Sequence, residues 1–257
     1  MIEPRLLLSR RQLLVSSAAT LTLGGCDRLS AAPTFQQFLA AAEGLTYRAH
    51  RTLIPRGALA REYSAQDISK RFRANGSQEA YNLPPGYLDN GFAGWRLQVN
   101  GLVIRPASFS LADLHALSPR TQITRHDCVE GWSCIGSWTG PQLSAVLDRV
   151  ALRPEARFIV FHCADEVLRY LDGSHSYYES IDLVDAFHPQ TILAYEMNGA
   201  PLSLAHGAPV RLRVERQLGY KMAKFITRIE AVDRLDNIRG GGGGYWEDNG
   251  YEWYAGI

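Results

Sequence analysis

The sequence predicts an α+β domain, with mixed sheets and short helices. Three observations point to it. Asn-Gly pairs at 100–101 and 198–199 each lie between apolar runs, the pattern of tight antiparallel hairpins. "RFIVFHC" (157–163) reads as a buried strand and "KFITRIEAVD" (224–233) as another. The helical patterns between such strands are short and do not repeat as βαβ units. The chain has 257 residues, 46% hydrophobic and 21% charged, an ordinary globular composition with enough length for a large core. Its 27 basic and 26 acidic residues leave a net charge of +1, so nothing marks nucleic acid or an anionic membrane surface as a partner.

The N-terminus reads as a targeting segment. "SRRQLLV" places Arg10 and Arg11 before the apolar stretch "LLVSSAATLTLGG", the pattern of a twin-arginine export signal. That stretch is too short and too rich in Ser and Thr to span a bilayer. It closes on "LGGC", where small residues before Cys26 form a lipobox-like site for a lipid anchor. The expected organisation is a signal at 1–26 and a linker with an N-terminal helix at 27–70. A main domain follows at 71–235, then a glycine string with an aromatic tail at 236–257. The expected location is the periplasm, at the membrane through Cys26.

Within 27–70, Phe35, Phe38, Leu39, Ala42, Leu45, Ala49 and Leu53 fall near helical spacing. Ser110 opens a short helix, "LADLHAL", and "TQITRH" runs as a strand into a cysteine-containing stretch. In "TGPQLSAVLDRV", Thr139 and Gln142 fit a capping box, and Leu143, Val146, Leu147 and Val150 share one face. "SIDLVDAF" reads as a short helix capped by Ser180. Gly240 to Gly244 read as a flexible string, and the tail "YWEDNGYEWYAGI" is too aromatic to stay in water.

Two clusters carry chemistry. The first is "RHDCVEGWSC", Arg125 to Cys134, which holds two of the four cysteines. With Cys26 lipidated, Cys128, Cys134 and Cys163 remain, an odd number that leaves at least one as a free thiol or a ligand. No zinc spacing, C-x-x-C pair or haem attachment motif is present. Arg125 and His126 precede Cys128, and cations favour a thiolate, so Cys128 is a candidate ligand or nucleophile. A cysteine is equally at home as a small buried apolar residue. The second cluster, "HGAPVRLRVERQLGYKMAK", carries His206, Arg211, Arg213, Arg216, Lys221 and Lys224, which suit a phosphate or another bound anion.

"CVEGW" (128–132), "ILAYEMNGAPL", "HGAPVRLRV" and "GYKMAK" together resemble the molybdopterin-binding domain of the sulfite oxidase family, in order, over about Arg71 to Asp233. The cysteine motif resembles the family's bacterial branch, to which a periplasmic methionine sulfoxide reductase belongs. The resemblance implies a sulfite oxidase-type fold and a molybdenum-molybdopterin cofactor. It makes Cys128 the metal ligand and places Tyr177 near the metal as a hydrogen-bond donor. It implies cofactor contacts from Asn75, Cys163, His206, Arg211, Met222, Ala223 and Lys224. Cys134 falls outside the pattern and is expected to be packed. Where sulfite-oxidising members carry an arginine before the asparagine, this chain has Ala74, with Arg73 displaced by one.

The resemblance implies an exported oxidoreductase that reduces an S-oxide or N-oxide by two-electron oxygen-atom transfer. The alternatives are oxidation of sulfite or a related sulfur anion, and a non-catalytic metal- or pterin-binding lipoprotein. No second redox-centre motif is visible, so the expected partners are a small oxide or sulfur substrate and a membrane redox protein.

Overall fold

The computed structural model describes residues 32–78, 83, 86–87, 89–170 and 173–257. The twin-arginine pair and Cys26 lie outside the described residues. Two compact units are present, one ending at Leu53 and one from Ile54 to Ile257. In the first, α1 (Pro33–Leu53) forms where the apolar spacing predicts it. Proline opens it, where no intrahelical N–H is needed, and His50 and Arg51 lie in the last turn, favourable to the helix dipole. Among the described residues, no helix is long and apolar enough to cross a membrane.

The second unit is built of mixed sheets with short helices, as expected. Its first strands are β1 (Arg96–Gly101) and β2 (Ala107–Ser110), followed by α2 (Leu111–His115). A long hairpin follows, β3 (Pro119–Asp127) and β4 (Ser133–Pro141), then α3 (Leu143–Val150). A second long hairpin is β5 (Phe158–Tyr170) with β6 (Gly173–Asp182), followed by α4 (Leu183–Ala186). Short strands β7 (Ile192–Ala194), β8 (Glu196–Met197), β9 (Ala200–Pro201) and β10 (Arg211–Arg213) lead to β11 (Ile226–Val232). The main sheet has the order β2-β1-β11-β5-β6, and a second has the order β3-β4-β8-β9. A third pairs β10 with β7. The parallel pair β1–β11 inside an otherwise antiparallel sheet makes it mixed.

The main core lies on the five-stranded sheet, where Leu97, Val99, Ile159, Phe161 and Ile229 meet the apolar face of α3. All four residues assigned to that face, Leu143, Val146, Leu147 and Val150, are buried. A smaller core gathers Trp138, Ile192, Ala194 and Met197.

The two Asn-Gly pairs part company. Asn198-Gly199 makes the predicted two-residue hairpin, with both φ angles positive (53° and 77°) and Met197 facing Ala200. Asn100-Gly101 does not: both residues belong to β1 and pair with Glu230 and Ala231 of β11. The antiparallel partner β2 is reached through a longer loop, Val99 facing Ala107. Two predicted caps also shift. Thr139 stays in β4, where its hydroxyl meets that of Thr121 at 2.9 Å, and Gln142 precedes α3 without a side-chain cap bond. Asp182, rather than Ser180, caps α4 by accepting from the Asp185 N–H. Ser180 belongs to β6 and donates to the Gly243 carbonyl. Ser110 caps α2 as predicted, in a capping box with Asp113.

The glycine string is an ordered turn. Gly240 and Gly242 donate to the Asp248 carboxylate at 3.1 and 2.8 Å. A Cβ on Gly243 would stand 2.7 Å from Leu235, and one on Gly244 2.0 Å from Glu247, so close packing selects glycine there. The turn carries the aromatic tail back onto the main sheet. The Tyr245 N–H donates to the Tyr178 carbonyl at 2.9 Å, and Trp253 packs edge-on to Phe158.

Gly101 and Gly199 separate two costs of adding a methyl group. Both have positive φ, but a Cβ at Gly101 would fall 2.3 Å from the Ala231 carbonyl oxygen, and one at Gly199 meets nothing within 4 Å. Gly199→Ala is expected to cost about 1 kcal/mol from backbone strain alone, and Gly101→Ala at least about 3 kcal/mol because the β1–β11 pair must separate. Urea unfolding of both variants reads this difference; equal costs would contradict the assigned strand pairing.

Candidate functional site

Cys128 stands at the tip of the β3–β4 hairpin. The turn 128–132 closes through Cys128 N–H to the Trp132 carbonyl and Gly131 N–H to the Cys128 carbonyl, both 3.0 Å. Gly131 takes φ +84°, which the turn requires. The thiol faces a pocket lined by residues distant in sequence. Of the predicted site residues, Asn75, Cys128, Tyr177, Met222 and Lys224 line it together. Asn75 Nδ2 stands 4.0 Å from the Cys128 sulfur.

The remaining predicted residues lie behind this lining or beside it. Cys163, in β5 opposite Ile226, is buried in the main core. Ala223 is fully buried, its carbonyl accepting from the Leu212 N–H at 2.8 Å. His206 is half-buried; its Nδ1 pairs with the Ser203 hydroxyl at 2.8 Å, and the ring also meets the Phe72 backbone. Arg211 is buried against the Trp138 ring, 4.9 Å from guanidinium carbon to ring centre. It donates to the carbonyls of His206 and Met222, and its Nε has no partner. Cys134 sits on β4 opposite His126, with its sulfur 3.8 Å from the Arg71 carbonyl, and does not line the pocket. The described cysteines Cys128, Cys134 and Cys163 are all unpaired.

The cationic segment splits into two kinds of residue. Arg213 forms a buried ion pair with Glu215 at 2.7 Å, and Arg216 pairs with Asp185 at 2.7 Å. Lys221, fully buried, sits between Glu179 and Glu247. Arg211 and Lys224 are different: among the described residues, no carboxylate forms an ion pair with either. Lys224 Nζ donates instead to the carbonyls of Asn75, Ser77 and Ala205. Burial, with repulsion from Arg211, pulls the Lys224 ammonium down to about 8. Burial, with repulsion from Arg213, pulls Arg211 down to about 9. Two desolvated cations, one of them with an unpartnered Nε and the other held only by carbonyls, make a site that favours an anion with several acceptor oxygens.

The surroundings of Cys128 correct one expectation. Arg125 turns to Asp127, at 2.9 Å, and does not line the pocket. His126 is fully buried, and burial together with Arg213, Arg211 and Lys224 holds its pKa well below the ordinary range, so the ring is neutral. Neither residue supplies charge to the thiol. Burial pushes the Cys128 thiol up, against hydrogen bonds from the Glu130 backbone and the Asn75 amide that favour the thiolate; the Glu130 carboxylate adds to the rise and the Arg73 charge opposes it. Tyr177 departs from expectation as well, since its phenol donates to the Tyr220 carbonyl. Arg73 is exposed, 4.0 Å from Glu130 and stacked over Trp132, and does not line the pocket.

Sequence reasoning missed Glu130, Asp165, Tyr220, Trp246 and Tyr251, which also line the pocket. Asp165 is buried, with one carboxylate oxygen unpartnered; burial lifts its pKa to about 7, against the pull of Lys224. Its signal in the sequence was slight: a carboxylate two positions beyond Cys163, at the end of an apolar run. Among the described residues, no group of three or more His, Cys, Asp or Glu side chains could hold a metal ion by itself.

Residues 85–237 match the family described as "Oxidoreductase molybdopterin binding domain". A protein of Azospira oryzae named as a putative protein-methionine-sulfoxide reductase subunit, YedZ1, is 40% identical over 164 residues, 64% of this chain and 56% of that protein. The protein-methionine-sulfoxide reductase catalytic subunit MsrP of Xanthomonas campestris pv. campestris is 35% identical over 147 residues, 55% of this chain and 46% of that one. The chain thus spans about half the length of the curated relatives it matches. The sulfane dehydrogenase SoxCD of Paracoccus pantotrophus shares the fold, with a TM-score of 0.51 at 23% identity, over 58% of this chain and 40% of that one.

The unpaired Lys224 gives the cofactor-free protein a defined pH dependence. Below about pH 8 the lysine is charged both folded and unfolded, and the full cost of its burial opposes folding. Between about 8 and 10.5 the folded form gives up its proton while the unfolded form keeps it, so stability rises with pH. The whole effect is on the order of 3 kcal/mol. Lys224→Met should be more stable than the parent at pH 7 and should lack this component of the rise. Urea midpoints from pH 7 to 10 compare the two; parallel curves would rule out an unpaired buried ammonium.

Proposed function

The chain belongs to the family of molybdopterin-binding oxidoreductase domains, and on that premise we propose that it catalyses reduction of an S-oxide or N-oxide, methionine sulfoxide first among them. One observation carries the proposal: the free thiol of Cys128 faces the same pocket as Asn75, Tyr177, Met222 and Lys224. The names of the relatives from Azospira oryzae and Xanthomonas campestris favour a sulfoxide as substrate.

The residues present fit a molybdenum-molybdopterin cofactor. Arg211 and Lys224, which form no carboxylate ion pair among the described residues, would hold its phosphate. Among the described residues the Nε of Arg211 has no partner, and it is a donor that a phosphate or pterin acceptor would satisfy. Met222 and Ala223 hold the segment between these cations, Asn75 lies beside the sulfur ligand, and Cys163 backs the site from β5. Cys128 would supply a single soft thiolate to the metal. Bound molybdenum-molybdopterin supplies the two-electron exchange of an oxygen atom, while the protein positions it and limits access.

In the balanced reaction, one sulfoxide takes up two protons and two electrons and gives one thioether and one water. The sulfur–oxygen bond is broken and sulfur is reduced. The chain's own part is to bind the sulfoxide and to hold a proton where water forms. Asp165, with a pKa of about 7 and a free carboxyl oxygen, holds such a proton at neutral pH. Tyr177 fixes the Tyr220 backbone through its phenol, which sets the pocket floor. Electrons come from a separate membrane redox protein, and export by the twin-arginine route with lipidation at Cys26 keeps the enzyme beside it. Sulfite oxidation is the less favoured reading. Ala74 carries no charge, Arg73 does not line the pocket, and the Glu130 carboxylate does.

Two experiments test this. Cys128→Ser is expected to fold but to lose sulfoxide reduction with artificial electron donors and the Mo(V) paramagnetic signal, while Cys134→Ser keeps both; the reverse pattern would exchange their roles. Arg211→Ala combined with Lys224→Ala removes two charge-assisted contacts of about 1.5–3 kcal/mol each. Folded protein with cofactor occupancy reduced by orders of magnitude is the expected outcome. Stoichiometric molybdenum and pterin in that double variant would overturn the phosphate assignment.

A further inference from the structure

The pocket mouth is closed on one side by a segment outside the matched family domain. Trp246 and Tyr251 line the same pocket as Cys128, yet both lie beyond residue 237, where the family match ends. Their rings stack at 5.2 Å and 28°, and Tyr220 meets Tyr251 edge-on at 5.3 Å. Val129, next to Cys128 in the hairpin turn, is 45% exposed and lines the same pocket.

This wall is fixed in place. Glu247, adjacent to Trp246, is buried on Lys221, and Asp248 accepts from the Tyr178 phenol. The Tyr220 phenol donates to the Glu252 carbonyl at 2.6 Å. The tail is then held again by Leu218 N–H to Ala255 and by Ile257 N–H to Arg216, at 2.9 and 3.0 Å. Fastened on both sides of the Trp246–Tyr251 pair, the rings form a preorganised surface, which reduces the ordering cost of binding.

We infer that Trp246 and Tyr251, with Tyr220 and Val129, form a specificity wall that selects an uncharged sulfoxide carrying an apolar substituent. The chemistry of the wall supports this class. Aromatic faces and edges attract polarizable sulfur and bury apolar carbon. The Glu130 carboxylate in the lining disfavours a small sulfur anion beside it. The inference rests on the proposed sulfoxide substrate, but the wall can be tested without turnover.

The probe is methyl p-tolyl sulfone, an analogue with a fully oxidised sulfur, titrated calorimetrically into the molybdenum-loaded protein. Trp246→Ala should bind it at least tenfold more weakly with molybdenum content unchanged, and Trp246→Phe should return binding to within threefold of the parent. In turnover, Trp246→Ala should raise KM for methyl p-tolyl sulfoxide at least tenfold. The KM for dimethyl sulfoxide should rise less than threefold, with kcat within twofold for both. Unchanged sulfone binding in Trp246→Ala would overturn the wall, as would weakened binding that Trp246→Phe does not restore. A parent protein that binds the sulfone but reduces no sulfoxide supports the wall and overturns the proposed activity instead.

Discussion

Burying an ammonium or guanidinium away from water costs several kcal/mol unless a carboxylate or a set of well-placed acceptors meets it. That constraint organises the segment from Arg211 to Lys224, on which the site depends. Arg213 and Arg216 each meet a carboxylate, and Lys221 meets two. The pairing around Lys221 joins three parts of the chain: Glu179 from β6, the turn 219–221, and Glu247 from the tail. Burial lifts the pKa of Glu179 well above the usual carboxylate range, against the pull of Lys221. With these cations neutralised by the fold itself, Arg211 and Lys224 are left with carbonyls alone.

The same segment fixes the approach of the hairpin tip. A Cβ at Gly219 would stand 2.4 Å from the His126 ring, so glycine there lets the turn 219–221 press against β3. Arg213 donates to His126 Nδ1 at 3.1 Å, which keeps that nitrogen an acceptor and the imidazole neutral. Cys128 follows His126 by two residues, and its position in the pocket is inherited from this packing. Ion pairing, a close glycine contact and a neutral histidine thus act together to set the thiol on the same pocket as Lys224.

Local chemistry was legible in the sequence, and long-range pairing was not. Asn198-Gly199 gave its hairpin because turn geometry there is decided by two residues. Asn100-Gly101 carries the same letters, but its glycine answers to Ala231, a contact 130 positions away. Ser180 looked like a cap because it precedes an apolar helix pattern, and the continuation of β6 to Asp182 moved the cap two residues on. In the site, the ordered motifs identified Cys128 and the cationic segment. They could not tell which cations the fold would neutralise, since Glu179 and Glu247 carry no local mark of that role. Asp165, Trp246 and Tyr251 went unassigned for the same reason: a strand end and a tail reach the pocket only through tertiary packing.

The charge around Cys128 bears on how a metal could be held there. In the sequence, Arg125 and His126 suggested a thiolate prepared by nearby cations. The fold turns Arg125 to Asp127 and keeps His126 neutral, and it leaves the thiol partly buried beside Glu130. Neither Arg125 nor His126 offers the thiol a charge, and burial outweighs the hydrogen bonds from the Glu130 backbone and Asn75, so the thiol is pushed towards its protonated form. A soft metal held by this sulfur would replace the thiol proton, and its affinity would rise with pH accordingly. A protonated thiol is also a weak nucleophile, less open to disulfide exchange and oxidation than a thiolate. The arrangement therefore shields the Cys128 thiol while no metal is bound, and would leave the reactive form of the sulfur to a metal bound there.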